Sequence, residues 1–240
     1  KIVYTPLHGT GNKPVRRILD ETGFKNVMVV KEQEEPDPDF STVKSPNPED
    51  RSALSLAIEL AKRENADLVI GTDPDCDRMG LVVKNGEGEY VVLTGNQTGC
   101  LLMEYILSQM KLKEGLPDDG FVVKTIVTTE FARAIAQHYN VELIEVLTGF
   151  KFIGEKIKEL DEFGTRKFIF GFEESYGFLL GTFARDKDAV VASMLAAEAA
   201  AYYKSRGKSL YEGLEELFER YGCYLESITS FSLEGKEGLE

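Results

Sequence analysis

The sequence predicts an α/β protein made of two consecutive α/β domains, each a mixed, mostly parallel sheet flanked by helices. Short apolar runs alternate with amphipathic runs along almost the whole chain, which is the pattern of strands covered by helices. Hydrophobic residues make up 42% and charged residues 29% of the chain, the balance of a globular protein rather than a disordered or fibrous one. The 240 residues suit one large or two small domains at roughly 100 to 200 residues per domain. The pattern begins a second cycle near Thr94, so the expected domains are 1–93 and 94–222, with a core for each.

In the first cycle, residues 2–4, 27–30, 68–70 and 81–83 are short apolar runs close to Gly, Pro, Asp or Asn residues that end strands. A helix opens at Pro14, which suits a first helical turn, and carries Val15, Ile18 and Leu19 on one side. A second helix is expected from about Glu49 to Asn65, with Leu54, Ala57, Ile58 and Ala61 spaced for one buried face. In NGEGEYVVL, Gly86 and Gly88 mark a turn between two short strands.

The second cycle is expected to run as helix 95–110, strand 121–127, helix 130–139, strand 141–146, helix 151–160 and strand 167–171. DAVVASMLAAEAAAYYKSRG follows as the clearest helix, with Asp188 at its N-cap, an alanine-rich body and Gly207 as its stop. A shorter helix at 209–220 precedes the β-like stretch YLESITSFSL, and EGKEGLE reads as the start of a helix. Lys1 enters a strand almost at once, so both ends read as cut. No internal repeat is detectable, although the two halves are candidates for a shared architecture.

The formal net charge of −13 argues against nucleic acid as the main partner, because phosphate backbones are bound by clustered positive charge. No apolar run approaches the roughly 18 residues that a membrane span requires. The opening KIVYTPLHGTG also lacks the basic-then-apolar pattern of a signal peptide. Cys76, Cys100 and Cys223 stand far apart without a C-x-x-C pair, so a reducing, cytoplasmic setting is expected.

The most informative stretch is LVIGTDPDCDRMG at 68–80, an apolar strand followed by Asp73, Asp75 and Asp77 at alternate positions and then Arg78. In an extended or gently curled loop, residues two apart point to one side, so the three carboxylates can converge. At an effective dielectric near 20 and about 5 Å separation, each ionised pair repels by roughly 3 kcal/mol. One arginine does not neutralise three such groups. They must splay into water, take up a proton, or hold a hard divalent cation, and Mg²⁺ fits oxygen ligands that leave positions open for phosphate or water. An EF-hand is excluded, because Arg78 and Lys84 stand where its glycine and glutamate belong. The plainer alternative is a solvated acidic turn at the end of a sheet.

GFEESYGF at 171–178 places two carboxylates and a hydroxyl between glycines after an apolar strand. It reads either as a site for sugar hydroxyls or as a strand-to-strand turn with exposed acids. Neighbours on an extended loop point apart, so Glu173 with Ser175 is the pair expected to face a sugar, without Glu174. His8, flanked by glycine, is expected to brace a turn, and His138 to end an amphipathic helix where a cation favours the dipole. Cys76 is expected to be a small filler. No G-x-G-x-x-G or Walker pattern supports nucleotide binding.

TDPDCDRMG, TPLHGTG at 5–11, SPNPE at 45–49 and GFEESYGF together resemble the α-D-phosphohexomutase family, most closely its bacterial phosphoglucomutase branch. The resemblance covers essentially the whole chain and implies the second and third of four domains, with 223–240 leading toward the fourth. It implies a mutase that interconverts glucose 1-phosphate and glucose 6-phosphate through a phosphoserine enzyme and glucose 1,6-bisphosphate. A phosphomannomutase or another hexose specificity is the alternative within the family.

The same resemblance implies that Asp73, Asp75 and Asp77 hold Mg²⁺, with Arg78 beside the transferred phosphate as the catalytic residue. Glu173 and Ser175 would bind sugar hydroxyls, Thr148 and Gly149 would form a second sugar-facing loop, and Lys187 would lie near substrate phosphate. The family's T-A-S-H-N-P nucleophile loop and its fourth-domain phosphate clamp are not in this sequence. Ser45-Pro46-Asn47-Pro48 only approximates the former, so Ser45 is read as structural. The chain alone is therefore expected to be inactive, with the first and fourth domains as its partners and hexose phosphates as its ligands. Two other classes stay open: a Mg²⁺-dependent phosphatase with an aspartate nucleophile, and a noncatalytic sugar-phosphate binding module.

Overall fold

The chain is described by a computed structural model covering residues 1–162, 164 and 166–227. The first domain runs β1 (Ile2–Thr5), α1 (Asn12–Glu21), β2 (Val27–Val29), α2 (Ser55–Glu64), β3 (Leu68–Thr72), β4 (Met79–Lys84) and β5 (Tyr90–Val92). Its sheet has the order β2-β1-β3-β4-β5, parallel through the first three strands and antiparallel through the last two. The second runs α3 (Gly95–Lys113), β6 (Gly120–Thr125), α4 (Phe131–Tyr139), β7 (Glu142–Val146), α5 (Phe150–Glu162), β8 (Lys167–Phe172), β9 (Phe178–Leu180), α6 (Ala189–Ser205) and α7 (Leu210–Tyr221). Its sheet has the order β7-β6-β8-β9, with only β9 antiparallel.

The two sheets share one plan: the first strand lies centrally, the second pairs outside it, and the third turns back on itself through a tight hairpin. The acidic turn 73–78 joins β3 to β4, and the acidic turn 173–177 joins β8 to β9. These turns are therefore topological equivalents.

Caps fix several helix starts. Thr94 and Gln97 form a reciprocal capping box on α3 at 3.1 and 3.0 Å, and Ser209 and Glu212 form one on α7. Asp188 caps α6 by accepting the N–H groups of Val190 and Val191 at 2.8 and 3.1 Å. Gly207 follows that helix with φ +74°, a left-handed conformation in which glycine carries no Cβ penalty.

Five expectations change. The helix placed at 49–65 starts only at Ser55, because Asn47 and Asp50 accept the N–H groups of Glu49 and Ser52 and hold 47–54 as successive turns. The strand placed at 121–127 ends at Thr125, where a turn closed from Thr128 N–H to Thr125 C=O leaves Ile126 and Val127 outside. The short strand β9 was not expected. The two expected cores are not separate either, since the largest apolar cluster runs from Ile2 and Tyr4 through Leu101 and Phe170 to Leu217, joining both sheets through α3 and α6. Residues 224–227 form no strand, and the rest of the expected β-like stretch and the helix start at 234–240 lie outside the described residues.

Candidate active site

Asp73 follows the last buried residue of β3 and is itself fully buried. The chain then reverses within five residues. Cys76 N–H donates to Asp73 C=O at 3.0 Å, Asp73 N–H donates to Arg78 C=O at 3.3 Å, and Cys76 takes a left-handed φ of 63°. The aspartates thus meet across a tightly folded turn, where an extended or gently curled loop was expected. Asp73, Asp75 and Asp77 each offer a carboxylate oxygen within 4.8 Å of the others.

Asp73 anchors this turn. Its Oδ1 accepts the N–H groups of Asp77 at 3.1 Å and Arg78 at 2.9 Å, and its Oδ2 accepts Arg78 Nε at 2.7 Å. Burial pushes its carboxyl up to about 6, with the Asp77 charge adding to the rise while Arg78 draws it back. Arg78 also faces Glu49 at 3.5 Å and Asp77 at 3.6 Å.

The loop after β1 braces the turn from behind. Thr10 donates its N–H and hydroxyl to Pro74 C=O at 2.8 and 3.0 Å, and a Cβ on Gly9 would overlap the Pro74 backbone. His8 engages both ring nitrogens, Nδ1 with Glu35 C=O and Nε2 with the Thr42 hydroxyl, each at 2.8 Å. The bracing role expected for His8 is what the geometry gives, and Cys76 is buried as a filler would be. His138 lies in the last turn of α4, against the rings of Tyr139 and Tyr221. Ser45 lies exposed in an irregular stretch.

In the second domain, Glu173 is 5% exposed and accepts the Gly149 N–H at 3.0 Å, while Gly149 holds φ +119°. Burial raises the Glu173 carboxyl above its usual range, and the Gly149 N–H opposes that rise. Glu173 and the Thr148–Gly149 turn therefore come together, with Thr148 exposed and Ser175 half-buried two residues beyond Glu173. Glu174 turns the other way and accepts the hydroxyls of Thr125 and Thr128 at 3.2 and 3.0 Å. The segment is a strand-to-strand turn, but its acids are engaged inside the fold and do not lie free in solvent.

The two acidic turns are joined to one another. Met79 N–H donates to Tyr176 C=O at 3.1 Å, Arg78 and Gly177 form an antiparallel bridge, and Ala189 N–H donates to Cys76 C=O at 3.2 Å. Tyr176, with φ 65°, mirrors Cys76 and ties its hydroxyl to Leu93 C=O at 3.1 Å. Lys187 crosses between the domains, with Nζ 3.0 Å from Asp77 Oδ2.

Sequence reasoning left two participants out. Glu49 reaches Arg78 from the P-N-P-E turn, a segment that was in view but read only as structural. Thr128, which holds Glu174, lies just past the strand expected at 121–127 and carries no signal of its own.

Family models for phosphoglucomutase/phosphomannomutase, alpha/beta/alpha domain II, and for its domain III match residues 1–86 and 94–221. Phosphoglucomutase of Staphylococcus epidermidis is 44% identical over 238 residues, covering 99% of this chain and 42% of that protein. That of Staphylococcus haemolyticus is 42% identical over 240 residues, covering 100% and 43%. The chain thus spans less than half the length of these relatives. Among solved structures, a putative phosphomannomutase from Thermus thermophilus matches with a TM-score of 0.72 at 24% identity, over 92% of this chain and 46% of that one. An Aspergillus fumigatus N-acetylphosphoglucosamine mutase in complex with GlcNAc-6P and magnesium matches with a TM-score of 0.60 at 13% identity, over 92% and 48%. Below 25% identity these structures speak to the fold alone.

Proposed function

The chain belongs to the phosphoglucomutase/phosphomannomutase family, and on that premise we propose that it forms the cation-holding and sugar-reading centre of a phosphoglucomutase. In this reading, 1–93 and 94–222 are the second and third domains of an enzyme that interconverts glucose 1-phosphate and glucose 6-phosphate through a phosphoserine and glucose 1,6-bisphosphate. The glucose assignment draws on the phosphoglucomutase names of the staphylococcal relatives. The nucleophilic serine and the last phosphate clamp would come from the first and fourth domains, so this segment alone does not turn over.

One observation carries the reading: three carboxylate oxygens within 4.8 Å sit on a turn that is backbone-bonded to a second acidic turn from the other domain. Hard oxygen donors of this number suit Mg²⁺ and leave part of its octahedral shell for phosphate or water. Asp73, Asp75 and Asp77 would hold the ion, which when bound supplies positive charge that stabilises a transferring phosphoryl group.

The remaining work falls to protein groups. Asp73 fixes Arg78 through Nε, which sets the guanidinium beside the carboxylates, where it would stabilise phosphoryl charge. Glu173 and Ser175 would read sugar hydroxyls, with Glu173 oriented by the Gly149 N–H and Thr148 exposed next to it.

Mn²⁺ titration tests the reading. Amide signals of Asp73 and of 75–78 should broaden first and those of 173–177 next, and Asp75→Asn should abolish both effects; broadening unchanged in that variant would remove the cation site.

A further inference from the structure

We propose that Lys187 is a tethered counter-cation of the aspartate turn, competing with a divalent cation for Asp77 and released toward the Glu173 turn when that cation binds. The inference rests on the cation reading above and concerns the lysine itself.

Lys187 lies between β9 and α6 in the second domain, and Asp77 lies in the first. Its Nζ is 3.0 Å from Asp77 Oδ2 and 3.3 Å from Asp186 Oδ1, with only 19% of the side chain exposed. The path of the side chain is built into the junction. A Cβ on Gly177 would overlap Lys187 Cγ and Cδ, so the lysine stem passes over the same glycine that bridges Arg78. Its Nζ also stands 5.6 Å from the centre of the Phe150 ring, which follows the Thr148–Gly149 turn.

Asp77 is therefore flanked by two cations, Arg78 at 3.6 Å and Lys187 at 3.0 Å. Arg78 is clamped by Asp73 and cannot leave without stranding a buried carboxylate. Lys187 is the mobile member, because an ammonium on a flexible stem gives up one carboxylate for another or for water more readily than a guanidinium clamped by a buried carboxylate does. A divalent ion on the same carboxylates repels the ammonium and takes up the carboxylate lone pairs to which it donates. Asp186 keeps the freed lysine in the second domain, and the Glu173 carboxylate, bonded to the Gly149 N–H next to the Phe150 ring that Lys187 already faces, draws it toward the sugar-reading turn. Cation binding would thus expose an ammonium suited to an anionic group beside that turn, coupling the two domains by charge.

The test uses the whole chain with Mn²⁺ as probe, reading free ion by electron paramagnetic resonance. Lys187→Met should tighten Mn²⁺ by about three- to tenfold, the effect of removing one unit charge a few ångströms from a divalent site at moderate salt. Lys187→Arg, which keeps the charge, should bind like the parent. Lys204→Met, which removes equal charge from the remote Asp67 pair at 2.7 Å, should also leave affinity unchanged. In the parent chain, Mg²⁺ should shift the Lys187 Cε–H signal, a readout that needs no variant to fold. Affinity unchanged or weakened in Lys187→Met, or a still Lys187 signal while Mg²⁺ binds, overturns the proposal. Failure of every form to bind Mn²⁺ would instead overturn the cation reading, and this inference with it.

Discussion

Arg78 Nε donates to Asp73 Oδ2 at 2.7 Å across the closing end of a single hairpin turn, while two backbone N–H groups of that turn satisfy the other oxygen of Asp73. The arginine is thereby part of the turn's architecture as well as a source of charge. A buried carboxylate held in this way makes the turn sensitive to pH.

Burial raises the Asp73 carboxyl in the folded chain from 3.8 to about 6, so the native state takes up a proton more readily than the unfolded one. The stability this supplies is fully present below about pH 4 and is lost as pH rises through about 6. Asp73→Asn cannot titrate there. The melting temperature of Asp73→Asn minus that of the parent should therefore grow more positive from pH 4 to pH 7, and a constant difference would contradict the assignment. At pH 7, Mg²⁺ should raise the parent's melting temperature and leave that of the variant unchanged.

Gly95 begins α3 directly beneath the Glu173–Gly177 turn, and a Cβ there would overlap the Glu174 carbonyl. Alanine normally favours a helix over glycine, yet here the displaced atoms are backbone and cannot yield cheaply. Gly95→Ala should cost about 1–3 kcal/mol by urea unfolding and shift the amide signals of 173–177. Gly86→Ala is the control, since no atom lies within 4 Å of the added Cβ; it should change stability by less than about 0.5 kcal/mol.

The alternation of strands and helices was legible because period and caps are local properties, and Asp188 with Gly207 bracketed α6 as read. The start of α2 was not legible, because Asx turns at Asn47 and Asp50 compete with a helix that the apolar spacing alone supports. The three residues of β9, set between Gly177 and Gly181, are too few to show a period. Lys124 is fully buried on β6 by Glu130 at 3.0 Å, Glu145 at 2.7 Å and the Thr128 carbonyl at 2.9 Å, partners that the strand pattern does not announce. At the site, D-x-D-x-D announced the carboxylate cluster but not its folded route. The ties Arg78–Gly177, Lys187–Asp77 and Glu49–Arg78 join distant parts of the chain and leave no local signal.

The thiols should separate by reactivity. Burial pushes the Cys76 thiol up to about 12, with the charges of Asp73, Asp188 and Asp75 adding to the rise. Cys100 is wholly buried and also raised, whereas Cys223 is exposed. At pH 8, one thiol per chain should react rapidly with a disulfide reagent and peptide mapping should identify Cys223. All three should react in denaturant. Rapid native labelling of Cys76 would mean that the aspartate turn opens far more often than its hydrogen bonds imply.

Thr128 supplies the last expectation. Its hydroxyl donates to Glu174 Oε2 at 3.0 Å, lies 2.6 Å from the Thr125 hydroxyl, and accepts the Glu174 N–H at 3.3 Å. Hydrogen bonds to a charged group are worth about 1.5–3 kcal/mol, so Thr128→Val, which keeps the shape and removes the donor, should destabilise the chain by that amount. Thr125→Val should cost less, because its contact with the carboxylate is the longer one at 3.2 Å. If these hydroxyls act through Glu174, the Thr128→Val penalty should shrink in a Glu174→Gln background, where the acceptor is neutral. Additive penalties in that double-mutant cycle would show that Thr128 stabilises the turn after β6 by packing alone and does not orient the turn that follows β8.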